Sequence, residues 1–194
     1  MQFRIKLACV SSSEWVAAVM ADFDAFLMDH ADCERKASAM ALSFVAKYPD
    51  RVEILPELID TAVEELEHFR SVYQIMEKRG IQLTHELKQD LYVKQLINTC
   101  RSGREERFMD RLLMASVVET RGAERFKLVY EALPAGELKK FYHGLWASEA
   151  RHGEIFIHMA LNYFDEASVN NRLEQMKEDE AKILTALPIQ AALH

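Results

Sequence analysis

The sequence predicts an all-α protein: a four-helix bundle with a long middle crossover and additional helices. Three observations point there. Six glycines and four prolines in 194 residues leave few breaks, which favours long helices over many short strands. Apolar residues recur at spacings of three, four and seven, and no stretch alternates with period two in β-branched residues. The stop signals fall in a short, long, short order of connections, the arrangement in which a crossover lets the second and third helices run parallel.

The elements follow in order. Ser11, Ser12 and Ser13 offer an N-cap for a first long helix reaching about Lys47, stopped by Tyr48-Pro49-Asp50. A second helix is predicted over about Asp50 to Arg79, ending at Gly80, with Pro56 marking its first turn. Ile81 to Gly103 is the crossover, with a helical stretch over Thr84 to Thr99 carrying Leu87, Leu91, Leu96 and Ile97. A third helix runs from about Arg104 to Ala132 and stops at Pro134, and a fourth from about Ala135 to Tyr163. A last helix covers about Ala167 to Ala186 before Pro188. The whole reads as one domain, with a bundle core over about 14–164 and a C-terminal helix over about 167–186.

Composition narrows the function classes. A net charge of −7 excludes polyanion binding through bulk electrostatics. Cys9, Cys33 and Cys100 form no Cys-x-x-Cys pair and no disulfide framework, so a reducing compartment is expected. No signal peptide is evident at the N-terminus, and the longest apolar runs, such as Leu112 to Val118, are too short to span a bilayer. A soluble cytoplasmic protein is the expectation.

The chemistry lies in a repeated constellation. Glu34 is followed about thirty residues later by Glu65 and His68, and Glu119 by Glu149 and His152. Each half thus carries one glutamate and one Glu-x-x-His pair, the ligand order of a carboxylate-bridged two-metal centre in a helical bundle. Each residue interrupts an apolar helical face. Ala37, Ser38 and Ala41 share the face of Glu34, and Ala115, Ser116, Gly122 and Ala123 that of Glu119; such small residues leave room beside a carboxylate. Glu64 and Glu67 fall off the apolar face and should be solvated.

Four carboxylates in one apolar layer would repel each other and cost several kcal/mol each unless neutralised. Two divalent cations balance the four negative charges. Glutamate and histidine without thiolates suit Fe(II) or Mn(II) better than structural zinc. His30, one turn before Glu34, is a candidate partner of that ligand.

The strings around these residues are more particular than the ligand pattern. Asp29-His30-Ala31-Asp32-Cys33-Glu34-Arg35-Lys36-Ala37, Glu64-Glu65-Leu66-Glu67-His68-Phe69, Val118-Glu119-Thr120-Arg121-Gly122-Ala123-Glu124-Arg125-Phe126 and Ser148-Glu149-Ala150-Arg151-His152-Gly153 resemble the ferritin-like di-iron tRNA hydroxylases of the MiaE family, from about Trp15 to Phe164. The resemblance implies an O2-dependent non-haem di-iron monooxygenase. Its substrate would be the isopentenyl group of 2-methylthio-N6-isopentenyladenosine at position 37, in the anticodon loop of tRNA. It also implies two Fe ions held by Glu34, Glu65, His68, Glu119, Glu149 and His152, with no catalytic side chain beyond these ligands. Phe69, Phe126, Trp146 and Phe156 are candidate walls for the prenyl tail, although core packing suits each of them singly.

Electrons must come from outside, because the chain has no flavin fingerprint, iron–sulfur cysteine cluster or dinucleotide loop. A separate reductase or ferredoxin is the expected donor. An acidic protein acting on tRNA also needs local basic surface. Arg101, Arg104, Arg107 and Arg111, Lys139 and Lys140, and Arg35, Lys36, Arg121, Arg125 and Lys127 are the candidates. Glu105, Glu106 and Asp110 alternate with the first group, as on a solvated, salt-paired helix. The competing readings are a ferritin-like iron-storage or detoxification protein, a peroxidase, and a metal-free bundle. The peroxidase reading lacks the Cys-x-x-Cys pairs of an iron–thiolate domain.

Overall fold

The computed structural model describes residues 5–83 and 90–194. Seven α-helices and no strand occur among the described residues: α1 Ser13–Ala21, α2 Phe23–Lys47, α3 Leu55–Lys78, α4 Leu91–Thr99, α5 Arg104–Ala132, α6 Glu137–Leu161 and α7 Glu166–Ala186. The chain divides into two compact units. One holds the N-terminal residues through Val16, the segment carrying α4 to α7, and His194; the other holds α2, α3 and residues 190–193.

The second unit is built on a helical hairpin of α2 and α3. The single long first helix expected from the sequence is instead two. Asp22, with φ −138° and ψ 69°, leaves helical geometry and accepts a hydrogen bond from the Ala25 N–H at 3.1 Å. A short acidic side chain that caps the next helix ends the previous one, and periodicity running through it hides the break. The Pro56 signal is correct: α3 begins at Leu55 with Pro56 in its first turn. Its end is a Schellman motif, in which Gly80 at φ 72° donates to Glu77 O at 3.1 Å and Ile81 donates to Met76 O at 2.9 Å. Phe26, Leu27, Phe44, Leu58, Val72 and Met76 are buried and form the apolar face of the pair. Ser38 Oγ ties the two helices by donating to Ala62 O at 2.7 Å.

The other unit is built on the hairpin of α5 and α6, with α7 and α4 packed on it. Of the helix expected over Thr84 to Thr99, only α4 falls within the described residues, with residues 84–89 outside them. Asp90 caps α4 by accepting from Val93 N–H at 2.9 Å, and Asp165 caps α7 by accepting from Ser168 N–H at 2.9 Å. The third helix has the bounds expected of it. Phe108, Leu112, Phe126, Val129, Tyr142 and Phe156 are buried. Here Ser116 Oγ is the tie, donating to Gly153 O at 2.7 Å. A Cβ on Gly153 would lie 2.6 Å from Thr120 Oγ1, so only glycine lets α6 approach α5 this closely.

Asp110 departs from its expected solvated setting. It is fully buried and accepts from the Arg101 backbone N–H at 2.8 Å, from Arg101 Nη2 at 2.7 Å and from Arg172 Nε at 3.0 Å. Arg172 also donates to Thr99 O at 2.9 Å, so one carboxylate joins α5, α7 and the end of α4. Burial alone would raise the carboxyl's proton affinity, but the bonds from Arg101 and Arg172 outweigh it and hold the pKa below its ordinary 3.8. The unfolded chain therefore binds the Asp110 proton more tightly than the folded one. This contribution is complete above about pH 4 and is lost as pH falls through the depressed value. Asp110→Asn is expected to cost about 3 kcal/mol at neutral pH and to flatten the acid limb of stability. Urea midpoints measured across the acid range check both effects.

Candidate metal centre

The candidate ligand residues sit one turn or more inside their helices, where the backbone is fixed by hydrogen bonds on both sides. In the α2–α3 unit, Glu34 comes from α2 and Glu65 and His68 from α3. One ligand atom from each of the three falls within 4.8 Å of the others. His68 Nδ1 lies 3.4 Å from Glu65 Oε2 and 3.8 Å from Glu34 Oε2. Glu34 and Glu65 are buried, and the His68 side chain keeps 17% exposure. His30 is fully buried, with Nε2 2.5 Å from Glu34 Oε1, so the expected partner of Glu34 is in contact with it. That contact engages one of the two carboxylate oxygens with imidazole.

The α5–α6 unit repeats the pattern. Glu119 comes from α5, Glu149 and His152 from α6, and one ligand atom of each falls within 4.8 Å of the others. All three are buried. His152 Nδ1 lies 3.4 Å from Glu149 Oε2, the separation found between His68 and Glu65. A Glu-x-x-His pair three residues apart on one helix produces this geometry because both side chains lean over the same turn. Each unit thus gathers two carboxylates and one imidazole, with no thiolate among them. That donor set fits a divalent metal of the iron or manganese type.

The serine ties flank these triads on opposite sides. Ser38 lies one turn after Glu34, and Ser116 one turn before Glu119. The small residues predicted to leave space beside the glutamates therefore do something further: two of them fix the helix spacing that brings each triad together. Glu67 is exposed, as expected, and pairs with Arg70, whereas Glu64 is half-buried.

Several basic residues proposed as nucleic-acid contacts are used internally. Arg121 is fully buried and donates through Nε to Glu180 Oε1 at 2.8 Å and through Nη2 to Glu180 Oε2 and Cys9 O, both at 3.0 Å. Tyr92 Oη donates to the same Glu180 at 3.0 Å; burial first, then the neighbouring carboxylate, push this phenol well above its ordinary 10.0. Arg125 is buried with its guanidinium 4.5 Å over the Trp15 ring, and desolvation pulls its pKa down to about 10. Glu124 accepts from the backbone N–H and hydroxyl of Ser11 at 2.9 and 2.8 Å. The Glu-Thr-Arg-Gly-Ala-Glu-Arg-Phe string that looked family-specific therefore fastens the N-terminal segment and α7 to α5. Arg101 is likewise committed to Asp110. Lys127 and Lys140 are exposed and Lys139 is half-buried. Among the suggested apolar walls, Phe126 and Phe156 are buried, Phe69 is half-buried, and Trp146 is half-exposed among other rings.

The model of the family described as tRNA-(MS[2]IO[6]A)-hydroxylase (MiaE) matches residues 2–194. The chain belongs to the MiaE family. A relative from Pseudomonas putida, named tRNA 2-(methylsulfanyl)-N(6)-isopentenyladenosine(37) hydroxylase, is 32% identical over 188 residues, covering 97% of this chain and 91% of its own. A relative of the same name from Salmonella typhimurium is 26% identical over 227 residues, covering 92% and 83%. A solved structure named as a protein with aldehyde deformylating oxygenase activity from Synechococcus superposes with a TM-score of 0.92 at 32% identity, covering 98% of this chain and 96% of the other. The fold class is all-α and ferritin-like, as the sequence predicted. No helix among the described residues is long and apolar enough to cross a membrane.

Proposed function

We propose that this MiaE-family chain is an O2-dependent di-iron monooxygenase that hydroxylates the isopentenyl group of 2-methylthio-N6-isopentenyladenosine at position 37 of tRNA. The observation that carries the reading is the whole-chain family match together with one Glu and one Glu-x-x-His drawn together in each unit. The two units work as a single domain, and the six residues Glu34, Glu65, His68, Glu119, Glu149 and His152 hold two irons. Two divalent ions offset four buried carboxylates, which otherwise would have to take up protons.

When bound, the iron pair supplies the activation of O2 and the oxidising power for attack on an unactivated C–H bond. The balance of the reaction is a C–H bond and O2 with two electrons and two protons, giving a C–OH bond and water. A separate reductase or ferredoxin provides the electrons. The chain's own residues orient and exclude. His30 holds Glu34 in one carboxylate orientation, and the serine ties hold the helices at fixed spacing. Phe126 and Phe156 present apolar surface to the prenyl tail and keep water from it. The tRNA substrate puts the work in the cytoplasm. Family membership favours this reading over iron storage or peroxide reduction.

The test is nucleoside analysis of tRNA from cells with and without the gene. Deletion is expected to remove the hydroxylated nucleoside and accumulate its unhydroxylated precursor, with restoration by the plasmid-borne gene. An unchanged nucleoside profile in a strain without a second copy would refute the substrate.

A further inference from the structure

The facing surfaces of α5 and α6 carry three rings outside the core. Tyr130 from α5 lies 5.1 Å from His143 and 6.2 Å from Trp146, both from α6, and the Tyr130 and Trp146 planes are within 22° of parallel. His143 meets Trp146 edge-on at 5.7 Å. Tyr130 and Trp146 are half-exposed and His143 is exposed. Two lysines lie over the same rings: Lys127 Nζ is 5.5 Å from the Trp146 centroid and Lys139 Nζ is 5.0 Å from that of Tyr130. Lys139 also donates to Leu133 O at 2.9 Å, and Lys127 lies 3.7 Å from Glu131, an exposed pair that costs little to exchange for another anion.

We propose that this patch is a stacking platform for unpaired nucleotides of the anticodon loop beside the target adenosine. The inference rests on the tRNA-hydroxylase reading and names the surface that reading lacks. Aromatic rings with ammonium groups above them combine the two attractions that bind single-stranded nucleic acid: base stacking on ring faces and neutralisation of phosphates. Both are local, so they operate on a chain whose net charge is −7. The placement also suits the substrate, because Trp146 precedes the proposed ligand Glu149 by one helical turn. A loop nucleotide resting there lies against the helix that carries that carboxylate. Arg121, fully buried on Glu180, is closed to such a contact.

The test is binding of an anticodon stem-loop RNA carrying the unhydroxylated, prenylated adenosine, read by fluorescence anisotropy and by tryptophan emission. Stacking is expected to quench Trp146, one of only two tryptophans, while Trp15, 3% exposed, keeps its emission. Trp146→Leu and His143→Ala are expected to weaken binding by about 5- to 100-fold each, and Trp146→Phe to retain most of the affinity. Lys127→Gln should reduce the slope of log affinity against log salt by about one, while Lys182→Gln, on exposed α7 surface, should leave it unchanged. Wild-type affinity in both Trp146→Leu and His143→Ala would overturn the platform and leave the hydroxylase reading intact. Failure of the wild-type protein to bind the RNA would overturn both. Unchanged RNA binding with lost turnover only when the reductase supplies electrons would assign the patch to a protein partner and also overturn the proposal.

Discussion

Glu119→Ala is expected to leave the protein folded with at most one iron per chain and to lower hydroxylation by more than about 100-fold. Residues that merely support metal ligands typically cost 10- to 100-fold when removed, so loss of a ligand itself should exceed that range. Glu119 is buried on α5 within reach of Glu149 and His152. Its removal would take one of the two carboxylate donors from the α5–α6 triad, leaving Glu149 and His152 to hold an ion there. Metal analysis of purified protein alongside circular dichroism separates the site from the fold. Glu178→Ala, on an exposed position of α7, serves as the control and is expected to keep both irons. Two irons per chain in Glu119→Ala would contradict the ligand assignment.

The largest effect on stability is expected from Arg121→Met. Its guanidinium bridges to Glu180 through two hydrogen bonds, and both side chains are fully buried. Glu180 raises the proton affinity of Arg121 further, against the opposing effect of burial, so the arginine stays charged at every accessible pH. Breaking such a pair from one side strands the other charge in a site closed to water, at a cost of about 3–5 kcal/mol. For a chain of this length that corresponds to a fall in Tm of roughly 10 °C. The double variant Arg121→Met with Glu180→Leu is expected to recover most of the loss, since an apolar pair of similar volume needs no solvation. Thermal melts of the single and double variants form the cycle. A double variant no more stable than Arg121→Met would show that the network's role is shape rather than charge.

Much of the fold was legible in the sequence because helix formation is governed by local spacing. Sparse glycine and proline, apolar periodicity and stop signals located α5 at both ends and α3, α6 and α7 to within a few residues, α3's start excepted. The Asp22 break was missed for the same local reason. Periodic apolar residues run through Asp22 on both sides, and only its backbone geometry reveals that it caps α2. The gathering of each triad was equally legible. A glutamate set among alanines and serines on an apolar face marks a position that needs polar company across the helix pair, and Glu-x-x-His on the facing helix supplies it.

The sequence by itself determined the helical class, the family strings and the two-fold recurrence of Glu and Glu-x-x-His, since all three depend on residues near one another along the chain. Only the tertiary structure decided which charges face inward and what they meet. Asp110 reads as one member of a solvated, alternating stretch, yet it is buried against Arg172, 62 residues away. Arg121 reads as a possible phosphate contact, yet it closes on Glu180, 59 residues away. Trp146 reads singly as core packing, yet it is half-exposed beside Tyr130, His143 and Lys127. Helical periodicity fixes the face a side chain occupies, whereas the partner on that face depends on which distant helix packs there.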